Sequence, residues 1–387
     1  MNLFINGYNV FLIVLITFIT AVIITPIVKK IAFHVNAVDK PDHKRKVHYK
    51  VMPSMGGLAI FISFLIGYML FAPKTTQMLS ILIGGFIIVL IGMLDDIKPL
   101  PPKYKMVGQI LAACIAVFYG NIIFDDMTIF KHTFEFGIFA YPLSVIFMVA
   151  IMNAINFADG LDGLAAGTST VYFITIATMG YILNKLGGLD VILCLIMIGA
   201  CLGFLVYNFY PATIFMGDTG SLFLGFIVSV IALLGFKTAT ITSLIIPLLL
   251  LFVPILDTIL AMGRRTLKGE SISSADREHL HHQLLKQTKS TAKTVLLMYA
   301  INALFACVSI FYTLGDKKLS MLLYGILLLL IVILIFKTDI LFEHTKNKKN
   351  KKKKKNKKEH KKWLIFMISI IQYTVEIHLQ TFSSIVH

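Results

Sequence analysis

The sequence predicts an all-α, polytopic membrane protein with about eleven transmembrane helices and its amino terminus outside, on three observations. Hydrophobic residues make up 57% of the 387 and the mean hydropathy is +0.83, above the ~45–50% apolar content of soluble chains. Apolar runs of about twenty residues recur along the chain, each long enough to cross a ~30 Å hydrocarbon core as a helix. The short alternating segments of a β-barrel are absent. Lysine and arginine collect in alternate connections, as the positive-inside rule requires of a chain threaded back and forth.

The first span is expected from about Tyr8 to Val28. No small-residue cleavage signal follows its apolar run, so it reads as a retained helix rather than a signal peptide. Further spans are expected at about Gly57–Phe71, Met78–Leu94, Met106–Tyr119, Ile138–Ala154, Val171–Leu183, Val191–Tyr207, Leu222–Leu234, Ile241–Met262, Val295–Tyr312 and Leu319–Phe336. Lys29–Lys50, Asp95–Lys105, Asn156–Gly167, Asn208–Ser221, Arg264–Lys293 and the Lys337–Lys362 tail hold nearly all the basic residues and are assigned to the cytoplasm. The outer loops are short or featureless, and Asp125-Asp126 reads as a solvated pair. An amino terminus outside and a main carboxyl end inside need an odd number of spans, which eleven satisfies.

Residues 1–343 are expected to form one integral-membrane domain, and 344–387 a lysine-rich cytoplasmic tail outside the fold. His344–Lys362 holds twelve lysines and one glutamate, eleven of the sixteen net positive charges. Such a block beside a span is read as a tether to anionic lipid, and no nucleic-acid partner is expected. The apolar stretch after it, 363–371, is short for a span. A lysine run also reflects an A-rich coding tract, so a frameshift near residue 350 would account for this end. The four cysteines lie inside apolar runs without disulfide or zinc spacing.

Every dense polar motif falls in the cytoplasmic set. A transporter places its binding groups near the midplane on broken helices. Gathering them at one face favours an enzyme that joins a water-soluble substrate to something in the membrane. The densest stretch, Asn153 to Gly167, packs Asn153, Asn156, Asp159, Asp162 and three glycines into fifteen residues. Asn153 and Asn156 share a helical face, and carboxylate and amide oxygens are what a hard divalent cation takes. A polar helix terminus with a glycine-rich turn reads the same residues without a ligand. Asp95-Asp96 at the end of the third span is unfavourable at a membrane edge unless a cation or proton offsets it, and Lys103 and Lys105 lie within reach of a phosphate. The alternative is a helix-ending acidic pair near Lys98.

Lys44, Arg45, Lys46 and His48 suit phosphate or simply obey the positive-inside rule. Gly56-Gly57, entering the second span, favours an anion at a helix start. Met216 to Ser221 reads as a turn-to-helix junction offering Asp218, with Thr219 and Ser221 as caps for the eighth span. In the longest connection His279, His281 and His282 cluster with Arg277. Their spacing is poor for structural zinc and suits a pyrophosphate better. Asp257 pairs with Arg264 or has a functional role, and both readings stand.

These stretches, in this order, resemble the polyprenyl-phosphate N-acetylhexosamine-1-phosphate transferase family (glycosyl transferase family 4). The likeness runs from the first span to about Phe336, and the form His279-Leu-His-His282 is similar to the branch using UDP-N-acetylglucosamine. The resemblance implies a multi-pass enzyme of the bacterial cytoplasmic membrane that transfers N-acetylglucosamine-1-phosphate to undecaprenyl phosphate and releases UMP. That is the first step of a cell-wall polymer, with teichoic acid the expected polymer. It implies Mg²⁺, with Mn²⁺ able to replace it, held by Asn156 and Asp218. It makes Asp95, Asp96 and Asp159 catalytic and assigns Asn153, Asp162, Lys105, Lys44, Arg45, His48, His279, His281 and His282 to substrate. Membrane lipid is a partner, and a homodimer is compatible with it. The same-class rival is the muramoyl-pentapeptide transferase; a transporter or lipid flippase and a non-catalytic scaffold are the rivals from other classes.

Overall fold

The computed structural model describes residues 4–5, 7–39, 51–129, 132–236, 280–315 and 317–337. Residues 1–127 with 134–341 form one compact unit, and 128–133 with 342–387 a second. Of the second unit only 128–129 and 132–133 are described, in two short strands, β1 (Asp126–Ile129) and β2 (His132–Glu135). All the described helices belong to the first unit.

The chain is an all-α polytopic membrane protein. Its described helices are α1 (Val10–His34), α2 (Gly57–Phe71), α3 (Thr76–Ile97), α4 (Pro102–Cys114), α5 (Ala140–Ala158), α6 (Leu164–Ile182), α7 (Leu189–Asn208), α8 (Gly217–Phe236), α9 (Leu280–Thr288), α10 (Thr291–Leu314) and α11 (Lys317–Lys337). Ten of the eleven expected spans coincide with a helix; the ninth, Ile241–Met262, lies outside the described residues. Among these, six are long and apolar enough to cross a membrane by length and composition. Several boundaries move outward from the hydropathy estimate. α1 continues six residues past Val28 through Lys29-Lys30, because long basic side chains extend a helix into the headgroups without leaving it. The outer connection 121–141 is not featureless, since it carries β1, β2 and a 3₁₀ turn at Gly137–Phe139.

Local chemistry sets the ends that matter. The Asn9 side chain accepts from Phe11 N and starts α1. α3 stops at Ile97 because Pro99 disfavours helix at the residue before it, and Pro102 at the first position of α4 restarts one. α1 presents a stripe of Ile13, Thr17, Ala21, Thr25, Val28 and Ala32 to the protein and packs on α7 and α2. Thr17, Thr20 and Thr25 return their hydroxyls to the α1 backbone, which hides the polar groups from lipid.

α8 is the central helix, packed against α2, α3, α5 and α7. Backbones touch there. A Cβ at Gly57 would lie 2.0 Å from Gly220 Cα, and one at Gly92 would lie 2.4 Å from Thr219 Cα. Small residues permit this approach, which drives helix association where lipid removes the hydrophobic incentive.

Candidate active site

One end of the bundle collects the end of α3, the start of α4, the end of α5, the start of α6, the loop between α7 and α8, and the starts of α2 and α8. The end of α1 reaches it too: Ala32 and Ala37 pack with Met55 and Met93, and Val38–Asp39 pairs with Met52–Pro53 just before α2.

Adjacent carboxylates at the end of α3 have different partners. Asp96 turns to the start of α8: its Oδ1 accepts from Asp218 N at 2.9 Å, and its Oδ2 from Thr219 N at 3.1 Å and from the Thr219 hydroxyl. Ser54 reaches it at 3.4 Å. A carboxylate from another helix thus caps α8, satisfying its orphan amides and its positive end. This corrects the expected cap: Thr219 donates to Asp96, and Ser221 donates to the Gly217 carbonyl at 3.0 Å.

Asp95 faces the other way. Its Oδ1 accepts from Leu100 N at 2.7 Å, in the proline-rich turn, and its Oδ2 meets the Lys105 ammonium at 2.8 Å. The same ammonium lies 2.8 Å from Asp218 Oδ2. Asp218 Oδ1 accepts from Asn156 Nδ2 at 3.0 Å, and that nitrogen also reaches Ser221 Oγ at 2.8 Å. Asp95, Lys105, Asp218 and Asn156, from α3, α4, α8 and α5, therefore form one connected row. Lys105 is the positive centre of a group that would otherwise repel itself, which ties the start of α4 to α3 and α8.

The turn between α5 and α6 lies beside this row. Asp159 keeps partial exposure, yet desolvation, together with the charges of Asp218, Asp96 and Asp162, pushes its carboxyl up to about 7. Asp162 Oδ2 accepts from Ala212 N at 3.0 Å, linking the turn to the loop before α8. Asn208 bridges the same two segments: its Oδ1 accepts from Gly163 N at 3.1 Å and its Nδ2 donates to Ile214 O at 3.0 Å.

Some expected residues lie elsewhere. Asn153 does not join Asn156 in the row. Its Nδ2 donates to Gln109 Oε1 at 2.7 Å and to Val149 O at 2.8 Å, in an amide pair between α4 and α5. Residues three apart on a helix differ by about 60° in direction, enough to send one to α4 and the other to α8. Gly56-Gly57 offers no anion site in this arrangement, because Gly56 N donates to Phe215 O and Gly57 N to Met216 O, each at 2.9 Å. These glycines serve close backbone approach. Lys44, Arg45, His48, His279 and Asp257 lie outside the described residues, and His281 and His282 are described only as backbone in α9. Sequence reasoning missed Gln109, Asn208 and Tyr299; an amide inside or ending an apolar run was the available signal for the first two.

Among the described residues no group of three or more His, Cys, Asp or Glu is placed to hold a metal by itself. The row instead turns two carboxylates toward one positive charge, with an amide alongside. The two carboxylates fit Mg²⁺, which takes one or two carboxylates and completes its shell with water and substrate phosphate; Asn156 turns its amide nitrogen to Asp218 and Ser221 and would offer its oxygen with the amide reversed.

Fold and site together define a multi-pass membrane enzyme whose polar machinery is built at one end of the helix bundle. The sequence model of glycosyl transferase family 4 matches residues 78–236, from α3 to the end of α8. A probable undecaprenyl-phosphate N-acetylglucosaminyl 1-phosphate transferase of Bacillus subtilis (strain 168) is 43% identical over 335 residues, 86% of this chain and 93% of that protein. A decaprenyl-phosphate N-acetylglucosaminephosphotransferase of Mycobacterium tuberculosis (strain H37Rv) is 34% identical, over 79% of this chain and 84% of its own length. A phospho-N-acetylmuramoyl-pentapeptide-transferase of Chlorobium chlorochromatii is 35% identical over 50% of this chain and 60% of its own length. The chain belongs to glycosyl transferase family 4.

Proposed function

We propose that the protein transfers N-acetylglucosamine-1-phosphate from UDP-N-acetylglucosamine to undecaprenyl phosphate at the cytoplasmic face of the bacterial cell membrane, opening the synthesis of a cell-wall polymer such as teichoic acid. The observation that carries this reading is the row Asp95–Lys105–Asp218–Asn156, assembled from four helices at one end of a membrane bundle. The names and near full-length coverage of the N-acetylglucosamine-using relatives support the substrate over the muramoyl-pentapeptide.

A lipid phosphate oxygen attacks the β-phosphorus, the bond from that phosphorus to the bridging oxygen breaks, and UMP leaves. Both reactants are anions, so the obstacle is repulsion and the remedy is positioning with positive charge. Mg²⁺, held by Asp218 and Asn156, supplies neutralisation of the pyrophosphate when bound. Lys105 lies close enough to exchange a carboxylate partner for a phosphate oxygen. Asp95, fixed by Leu100 N and Lys105, orients the lipid phosphate; that group is largely ionised at neutral pH and needs no strong base. Asp96 acts through α8, by holding the backbone that presents Asp218. Asp159 and Asp162 line the nucleotide side, and His279, His281 and His282 with Lys44, Arg45 and His48 add positive charge around the phosphates.

The test is reconstitution of the purified full chain with undecaprenyl phosphate and each sugar nucleotide in turn. UMP release matched by lipid product from UDP-N-acetylglucosamine is expected. Turnover with the muramoyl-pentapeptide nucleotide alone would replace the substrate assignment, and no lipid product from either would reject the reading.

A further inference from the structure

We propose that Tyr299 is a positioning residue for the sugar-nucleotide pocket: from α10 it holds the turn carrying Asp159 and Asp162 by its hydroxyl on the Gly163 carbonyl. The proposal rests on the reading of that turn as the nucleotide side of the site.

The turn has little means of ordering itself. Two of its five residues are glycines, and its backbone bonds are only Asp159 N to Asn156 O at 3.3 Å, Gly160 N to Ala158 O at 2.9 Å and Leu164 N to Leu161 O at 2.9 Å. Fixing such a segment costs more backbone entropy than fixing one with side chains, so the order has to come from outside. Gly163 is where it arrives. This residue starts α6 in the left-handed region, at φ +79°, and no side chain of its own caps the helix.

Both of its peptide groups are held by other helices. Asn208 of α7 takes the N–H. The carbonyl accepts the first bond of α6, from Gly167 N at 3.0 Å, and its second lone pair accepts the Tyr299 hydroxyl. The tyrosine ring fills the space beside the turn. A Cβ at Gly167 would lie 1.9 Å from Tyr299 Oη and 2.0 Å from Cζ, and one at Gly163 would lie 3.3 Å from Oη. Gly167, one turn into α6, is thus the gap the phenol enters.

The helix that supplies this contact also leads back to the histidine segment. α9, which contains positions 281 and 282, joins α10 through a hydroxyl-rich corner: Thr288 and Thr294 hydroxyls lie 2.6 Å apart, and Ser290 caps α10 at Lys293 N. Tyr299 therefore links the aspartate turn to the helix pair that begins with those positions.

Tyr299→Phe keeps the ring and removes only the donor. The Gly163 carbonyl retains Gly167 N, so nothing is orphaned, and the expected effect is about fivefold, the size of one net hydrogen bond. In the purified full chain with undecaprenyl phosphate, the KM for UDP-N-acetylglucosamine should rise about fivefold, while kcat and the lipid KM stay within about twofold. Hydrogen–deuterium exchange should quicken in peptides covering 159–164 and stay unchanged in those covering 217–221. Gly167→Ala, which drives a methyl into the phenol, should shift the same KM and the same peptides by more. An unchanged nucleotide KM with unchanged exchange overturns the proposal. So does an equal loss across kcat, both KM values and exchange throughout the chain, which marks a merely structural residue. If the wild type makes no lipid product from UDP-N-acetylglucosamine, the functional reading fails, and exchange at 159–164 alone then decides whether Tyr299 holds the turn.

Discussion

α1 and α8 are both apolar helices of spanning length, yet the more hydrophobic one is the less buried. The best window of α1 has a mean hydropathy of 2.8 with 22% of it buried in the protein; that of α8 has 1.8 with 89% buried. In water the order would be reversed. In a bilayer, lipid tails solvate a leucine as well as another leucine does, so apolarity no longer selects the interior. Close packing and satisfied polar groups do. α8 carries Gly220, Ser221, Gly225 and Ser229 along buried faces, whereas α1 turns Phe11, Leu15, Ile19, Ile23 and Ile27 outward. The chemistry follows the packing: Asp218 begins a helix packed against α2, α3, α5 and α7, and its position is over-determined by Asp96, Lys105 and Asn156.

Substitutions at the two helices should therefore differ greatly, and the contrast can be broken at either end. The largest effect is expected for Asp218→Asn. Transfer should fall on the order of 10²–10³-fold or more and lose its response to Mg²⁺, while the protein still inserts and elutes as the wild type; undiminished turnover would remove Asp218 from the metal assignment. Next comes Gly57→Val. Its Cβ would meet backbone rather than a yielding side chain, so α2 and α8 must separate. The measurable outcome is poor recovery of folded protein and a lowered unfolding temperature in detergent.

Asp159 gives a smaller, pH-dependent effect. Its folded value of about 7 lies above that of an ordinary carboxylate. The folded state therefore keeps a proton that the unfolded chain releases between about pH 4 and 7, and this group costs stability as pH rises across that interval. A nearby cation favours the ionised form. Divalent-ion affinity, followed by Mn²⁺ binding, should tighten about tenfold from pH 6 to pH 8 with release of a proton. Asp159→Asn should flatten that profile, and an identical profile in the variant would exclude Asp159 as its source. The smallest effect belongs to α1: Ile23→Ala, on its outward face, should leave activity within about twofold and stability within about 0.5 kcal/mol. A large loss there would mean that α1 is an interface rather than a lipid-facing surface.

Local periodicity and charge were enough to place most of the helices, because each span must satisfy its own backbone and so announces itself in about twenty residues. The acidic motifs were legible for the same reason: carboxylates and amides are too costly at a membrane to occur without a purpose. What each one touches was not legible. Asp95 and Asp96 are neighbours in sequence, yet one meets Lys105 and the other caps α8. Asn153 and Asn156 look alike, yet one pairs with Gln109 and the other with Asp218. Gly56-Gly57 resembled an anion site and proved to be a backbone contact. Tyr299 carries no motif, and its partner lies 136 residues away.

The sequence by itself thus determined that this is a helical membrane protein with its reactive groups near one face, and which residue types those are. Only the tertiary structure decided how they pair. Spanning and polarity are properties of a single segment against its solvent, whereas a hydrogen bond between helices depends on rotations and offsets of a few ångströms, set by small residues whose packing no local pattern encodes.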